Sequence, residues 1–200
     1  MADTFTATEV HEHRHRLLEG MARAAAAKGY AETTIADIVR EAGVSRRTFY
    51  EHFSTKADCL IALYEAASHN ALKVLRDSID PQHEWQTQVE RALSAYLGCM
   101  QQNPVLMRTL FIEILGLGPD GLASRRRVNQ EIADFMLAVV NGGETGRKRA
   151  TPLPAGMAMA VVGGINELIL QYIEQDRVAQ LLELVEPSSQ LLRAVTEAGA

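Results

Sequence analysis

Two hundred residues, 47% hydrophobic and 22% charged, are enough to bury a core and exclude a disordered chain. Length allows one large domain, or a small domain joined to a medium one. The net charge of −5 excludes a uniformly basic nucleic-acid binder, so any DNA contact has to come from a few placed cations. Residues 1–56 carry eight Lys/Arg against eight Asp/Glu, which leaves the whole −5 on residues 57–200. The start shows no charged-then-apolar leader pattern, and no run of about 18 uncharged apolar residues occurs, so a cytoplasmic location and no membrane partner are expected. Cys59 and Cys99 lack metal or redox spacing and read as reduced, buried thiols.

No segment alternates with period two, whereas apolar spacings of three and four recur along the chain, which predicts an all-α protein. A first helix is expected over about 8–28, closed by Gly29. A second starts behind Thr34, whose hydroxyl and Asp37 three residues on form a capping pair. Gly43-Val44 breaks it. Ser45 caps a third helix, with Val44 and Phe49 spaced as a hydrophobic staple, and a fourth begins near Thr55. Further on, Asp80-Pro81 and Asn103-Pro104 can each open a helix. Gly116–Gly121 reads as a loop, a helix follows over about 122–140, and residues 141–151 look like a linker. A long, nearly uncharged helix is expected over about 154–175, then a helical stretch over 177–195 interrupted or kinked at Pro187.

Two short helices joined by Ala42-Gly43-Val44-Ser45 form a helix-turn-helix signature. Ile35, Ile38, Val39, Val44, Phe49 and Phe53 can face inward and fix the corner. Arg46, Arg47, Thr48, Tyr50 and His52 then point outward on a helix short enough to enter a major groove. Thr34 and Lys56 stand at helix starts, where side chains and backbone N–H groups can meet phosphates.

The run from Gly29 to Leu60 resembles the DNA-binding domain of the TetR, or tetracycline-repressor-like, family. The resemblance rests on Gly29-Tyr30, Thr33-Thr34, Ile38, the Ala42–Ser45 turn, Phe49-Tyr50, His52-Phe53 and Lys56, and it covers roughly residues 14–64. It implies phosphate or base contacts from Ser45, Arg46, Arg47, Thr48 and Tyr50, and backbone contacts from Thr34, His52 and Lys56. Two positions depart from the family pattern. Ala24 and Ala25 replace Leu and Phe, thinning the first helix's core contact, and Arg47 occupies a position that is often small. An extra guanine contact and an extra phosphate clamp both remain open for Arg47.

His11-Glu12-His13-Arg14-His15 matches the zinc-protease pattern H-E-x-x-H. Only ten residues precede it, no third ligand is evident and no strand can present a substrate, so a solvated helix end is the preferred reading.

Residues 55–200 show no catalytic grouping but a surplus of apolar side chains. Trp85, Tyr96, Cys99, Met100, Met107, Phe111, Phe135, Met136 and Asn166 are the candidates for a small-molecule pocket, against the plainer reading that each is core. Small residues around Gly163-Gly164 and leucines of the tail suit a dimer surface; the resemblance implies a homodimer with a four-helix seam. The expectation is a helix-turn-helix domain at 1–54 and a helical bundle for ligand binding and dimerisation at 55–200. The resemblance implies a DNA-binding transcriptional regulator, not an enzyme, with no cofactor and no resident metal. The expected partners are double-stranded operator DNA, a second copy of the chain and an unknown small-molecule effector, a mostly apolar molecule that would release a repressor from its operator. The alternative is a DNA-binding dimer without a ligand, controlled by a protein partner.

Overall fold

A computed structural model describes residues 7–142 and 152–197, and among them all regular structure is helical. The helices are α1 (Ala7–Lys28), α2 (Ile35–Ala42), α3 (Arg46–His52), α4 (Lys56–Asp77), α5 (Trp85–Gln101), α6 (Pro104–Arg108), α7 (Ile114–Gly116), α8 (Gly118–Asn141), α9 (Ala155–Glu174) and α10 (Val185–Glu197). A π-helical turn, Thr109–Glu113, joins α6 to α7, and a 3-10 segment, Val178–Leu184, precedes α10. The chain divides into two compact units, residues 1–67 with 108–122 and residues 68–107 with 123–200.

In the first unit α1 packs across α2 and α3. Leu17, Met21, Ile38, Phe49 and Leu60 are fully buried between them, each burial contributing on the order of 1.5–3 kcal/mol. Ala24 and Ala25 are buried too. The two helices meet closely at Gly20, where an added Cβ would lie 2.6 Å from the Ile38 carbonyl oxygen. Small side chains on α1 are thus the condition for this approach. Gly29 (φ 82°) and Gly43 (φ 63°) take the left-handed conformation that ends α1 and α2.

The expected loop at 116–121 is a helix start instead. Gly118 (φ 65°) turns the chain at Leu117, and α8 begins there with Pro119 in its first turn, where no amide hydrogen is needed. Gly121 is required for closeness, since a Cβ there would run into the Ile114 carbonyl oxygen. Of the three glycines in these six residues, Gly118 serves the left-handed turn and Gly121 the close packing, while Gly116 has open space around it.

In the second unit α10 packs on α5 and α9, with the 3-10 segment against α5 and α9. Ala133, Val140, Leu153, Ala158 and Val162 form a core cluster against which Trp85, Met136 and Val195 pack. Asp80-Pro81 does not open α5. Asp80 accepts from the Gln82 amide (3.0 Å) and its carbonyl from the His83 amide (3.1 Å), closing a turn before the helix starts at Trp85. Asn103 does cap α6, accepting from the Leu106 amide at 3.1 Å. The tail is not broken at Pro187. The 3-10 to α transition comes earlier, at Leu184–Val185, and Pro187 lies in the first turn of α10, where proline is tolerated. α9 is long and apolar enough to cross a membrane by length and composition, but its Ala158, Val161, Ile165, Ile169 and Ile173 face is buried in this unit. The expected linker at 141–151 lies, from residue 143 on, outside the described residues.

Candidate nucleic-acid interface and cavity

The corner is set by caps. Thr34 Oγ1 accepts from the Asp37 amide (3.3 Å), while Asp37 accepts from the Thr34 amide (2.9 Å) and hydroxyl (2.6 Å). Lys28 Nζ (2.5 Å) and Arg40 (3.0 Å) close on the same carboxylate. These bonds, that from Lys28 first, hold the Asp37 carboxyl well below the usual carboxylate range. At the turn, Arg16 donates to the carbonyls of Ala42 (3.0 Å) and Gly43 (2.6 Å), tying α1 to the end of α2. Ser45 accepts from the Thr48 amide (3.0 Å) and shares a hydroxyl bond with Thr48 (2.8 Å), so both are engaged at the start of α3.

Phe49 anchors the inner side of α3, in tilted and edge contact with Phe53 and Tyr50. The opposite side is open. Arg46, Arg47 and Tyr50 are exposed, Tyr50 at 59%. Arg47 is bound along the helix to Glu51, Nε to Oε1 at 3.0 Å. Arg46 has no hydrogen bond or ion pair among the described residues, and so remains a cation available to a ligand outside the domain. His52, in the last turn, is half-buried. Burial, with His13 and Arg14 nearby, lowers its pKa, so its imidazole is neutral at neutral pH.

Lys56 is placed differently from the outward residues of α3. Its ammonium donates to the carbonyls of Tyr30 (3.0 Å), Ala31 (3.2 Å) and Thr33 (2.8 Å) and lies 4.4 Å from the centre of the Tyr30 ring. A lysine has three donor hydrogens, so all are used inside the domain and Lys56 clasps the α1–α2 loop to α4. The site residues thus fall into two groups. Ser45, Arg46, Arg47, Thr48 and Tyr50 share the start and outer side of α3 (with His52 at its far end), while Thr34 and Lys56 are committed to internal bonds. Arg16, Gly20 and Lys28 were not identified from sequence. Gly20 alone carried a signal, as an isolated glycine within a helical pattern.

At the N-terminal histidines, His15 pairs with Glu19 (3.7 Å), and among the described residues no three His, Cys, Asp or Glu side chains are placed to hold a metal ion. Cys59 is buried beneath α1, which pushes its thiol up to about 12 and leaves it unreactive.

The second unit holds a partly open cavity of about 90 Å³ between α5, α8, α9, α10 and the end of α4. Trp85, Tyr96, Phe135, Met136 and Asn166 line it, as expected from sequence. Cys99, Met100 and Met107 do not line it. Cys99 accepts a hydrogen bond from Asn70 (3.9 Å), Met100 and Met107 are buried elsewhere, and Phe111 belongs to the first unit. The rest of the wall is aliphatic, including Val89, Leu93 and Ile165, which periodicity does not separate from core. Among the described residues, no Lys, Arg, His, Asp or Glu lines the cavity, and Asn166 already donates to Asn129 at 2.9 Å.

Residues 17–63 match the model of the bacterial regulatory proteins of the tetR family. The transcriptional regulator TtgR of Pseudomonas putida is 33% identical over 115 residues, 55% of this chain and 46% of its own. An uncharacterized regulator of the same species, TtgW, is 29% identical over 126 residues, 62% of this chain and 89% of its own. The chain spans about half the length of TtgR and the similar regulator ArpR. Among solved structures, the fatty acid degradation regulator FadR of Bacillus halodurans superposes with a TM-score of 0.75 at 18% identity, covering 89% of this chain and 96% of its own. FadR of Bacillus subtilis in complex with stearoyl-CoA gives 0.74 at 17%, with the same coverage. At these identities the likeness is one of fold.

Proposed function

We propose, from the match of residues 17–63 to the model of the tetR family of bacterial regulatory proteins, that the chain is a sequence-specific DNA-binding transcriptional regulator answering to a small, mostly apolar molecule. The observation that carries this reading is α3. It is fixed from behind by Phe49 and Arg16 and presents Arg46, Arg47 and Tyr50 outward on a rigid corner. That arrangement suits a helix laid in a major groove, with Arg46 as the strongest candidate for a guanine or phosphate contact. Ser45, Thr48 and His52 flank the same face. Thr34, as the cap of α2, and Lys56, beneath the α1–α2 loop, hold the corner from behind.

The regulator acts as a homodimer and resides in the cytoplasm. Met157 (45% exposed) and Ala160 on α9, with Leu182 (47%), leave apolar surface uncovered on this protomer, and a two-fold partner would place a second α3 on the next half-site. Ligand in the cavity shifts the population toward a dimer whose reading helices no longer match the operator, making the chain a repressor. α4 passes from the first unit into the second and is the natural lever. Selection of bound duplexes from a random-sequence pool tests this reading. The expected product is an inverted repeat with half-sites about one helical turn apart. No enriched sequence would refute it.

A further inference from the structure

Helix α1 carries four Lys/Arg side chains, and three of them are spent on α2 and its cap. Arg16 donates to the carbonyls of Ala42 (3.0 Å) and Gly43 (2.6 Å), Arg23 to that of Glu41 (2.7 Å), and Lys28 pairs with Asp37. Arg14 differs. It is half-buried, and among the described residues its guanidinium has no hydrogen bond or ion pair; it lies instead 5.7 Å from the centre of the Phe53 ring. Its five N–H donors are therefore unclaimed inside the domain. Arg14 also precedes residues 17–63, which match the tetR-family model, so that match assigns it no role.

Phe53 is the C-cap of α3, and the His52 ring lies 6.3 Å from the same Phe53 ring. Two nitrogen-bearing side chains, one from α1 and one from α3, thus gather round one aromatic ring at the end of α3. His13 and Arg14 both stand near enough to His52 to act on its charge. Thr48 precedes His52 by four residues and shares its side of α3, while Arg46 and Tyr50, also four apart, share another. A helix laid in a major groove runs between two rows of phosphates. Arg14 prolongs the Thr48–His52 side, and so the flank toward one of those rows, beyond the helix-turn-helix.

We infer that Arg14 of α1 and His52 of α3 together seat one backbone phosphate of the duplex, beside the groove that α3 enters. The inference rests on the proposed role of α3 and adds to it a contact from outside the helix-turn-helix. The two groups supply different charges. The Arg14 guanidinium is cationic at every working pH, and its fork of N–H donors matches phosphate oxygens. The His52 imidazole is conditional. Burial first, then His13 and Arg14 from α1, keep it neutral in the free protein, with Glu51 of α3 opposing them. A phosphate set against it favours the imidazolium, so docking takes up a proton and duplex affinity rises as pH falls through the bound-state pKa.

The test uses the full chain and the duplex recovered by selection, with affinity read by fluorescence anisotropy across a salt series. Arg14→Gln is expected to weaken binding by roughly fivefold at about 0.1 M salt and to flatten the slope of log K against log salt by about one. Arg14→Lys keeps the charge and should keep the slope. A loss of affinity for Arg14→Gln with an unchanged slope, or the same flattening in Arg14→Lys, would assign Arg14 to packing on Phe53 and overturn the seat. Arg46→Ala separates this inference from the one beneath it. A slope that falls for Arg46→Ala and not for Arg14→Gln would overturn the α1 contact and leave α3 standing; unchanged slopes in both would overturn both. The unaltered chain gives a second readout that no variant's folding can spoil. Calorimetry near pH 6.5 in two buffers of different ionisation enthalpy should show proton uptake on duplex binding, and His52→Gln should abolish it. Binding of the unaltered chain without proton uptake would overturn the place given to His52 in the seat.

Discussion

At Asp37 bonds from three residues converge on one carboxylate, and each comes from a different part of the corner. Lys28 reaches it from the end of α1, Thr34 from the cap and Arg40 from the next turn of α2. The folded-state pKa is depressed, so this contribution to stability is present above the unfolded carboxylate pKa of about 3.9 and is lost as pH falls through the lower folded value. Asp37→Asn is therefore expected to lower the thermal midpoint at pH 7. The gap between variant and parent should narrow below about pH 3.9; a gap that stays constant down to about pH 2 would contradict the role given to the charge. Arg47 is a second residue whose partner decides its use. Glu51 holds it at 3.0 Å and places a negative charge on the face that would meet phosphates. Glu51→Gln should tighten duplex binding several-fold at low salt and less at high salt, measurable by fluorescence anisotropy; weaker binding would mean that the pair positions Arg47 productively.

Among the elements, those of the first unit were legible because their signals are local. Thr34 with Asp37, Ser45 ahead of α3, and Gly29 and Gly43 at helix ends each act within four residues, and each appears as read. The misreadings share a cause in longer-range packing. The glycines of 116–121 have the composition of a loop, but Gly121 is small because the Ile114 carbonyl oxygen occupies the place of its Cβ. Pro187 looks like a helix breaker, yet the chain re-forms its helix two residues earlier and places proline in the tolerant first turn. Lys56 illustrates the same limit at the candidate site. Its position in the motif was evident, but its three carbonyl acceptors lie 23 to 26 residues away in sequence. Cys99, Met100, Met107 and Phe111 were misplaced in the cavity for a similar reason, since an apolar stripe does not say which of its residues borders empty space. At the α1–α2 contact the packing makes a direct prediction. Gly20→Ala should cost about 1–3 kcal/mol through overpacking against Ile38 and Ala42, visible as a lower denaturant midpoint with unchanged slope. An unchanged midpoint would show that α1 can shift without loss.

For the whole molecule, an acidic chain is proposed to hold a polyanion, which only local placement of charge permits. Residues 1–56 are neutral overall and the excess negative charge lies beyond them, so binding should be short-ranged and sensitive to single cations. The proposed two-fold assembly would double those few contacts, and sedimentation at micromolar concentration should then show a dimer; a monomer under conditions where the duplex is still bound would contradict the paired-helix arrangement. The most direct measurement is the salt dependence of duplex affinity for the parent chain and for Arg46→Ala, using the sequence recovered by selection. Loss of Arg46 is predicted to weaken binding by roughly tenfold or more at about 0.1 M salt and to flatten the slope of log K against log salt by about one per contact removed. Equal affinity and equal slope for the two proteins would contradict the claim that the outer face of α3 is what meets DNA.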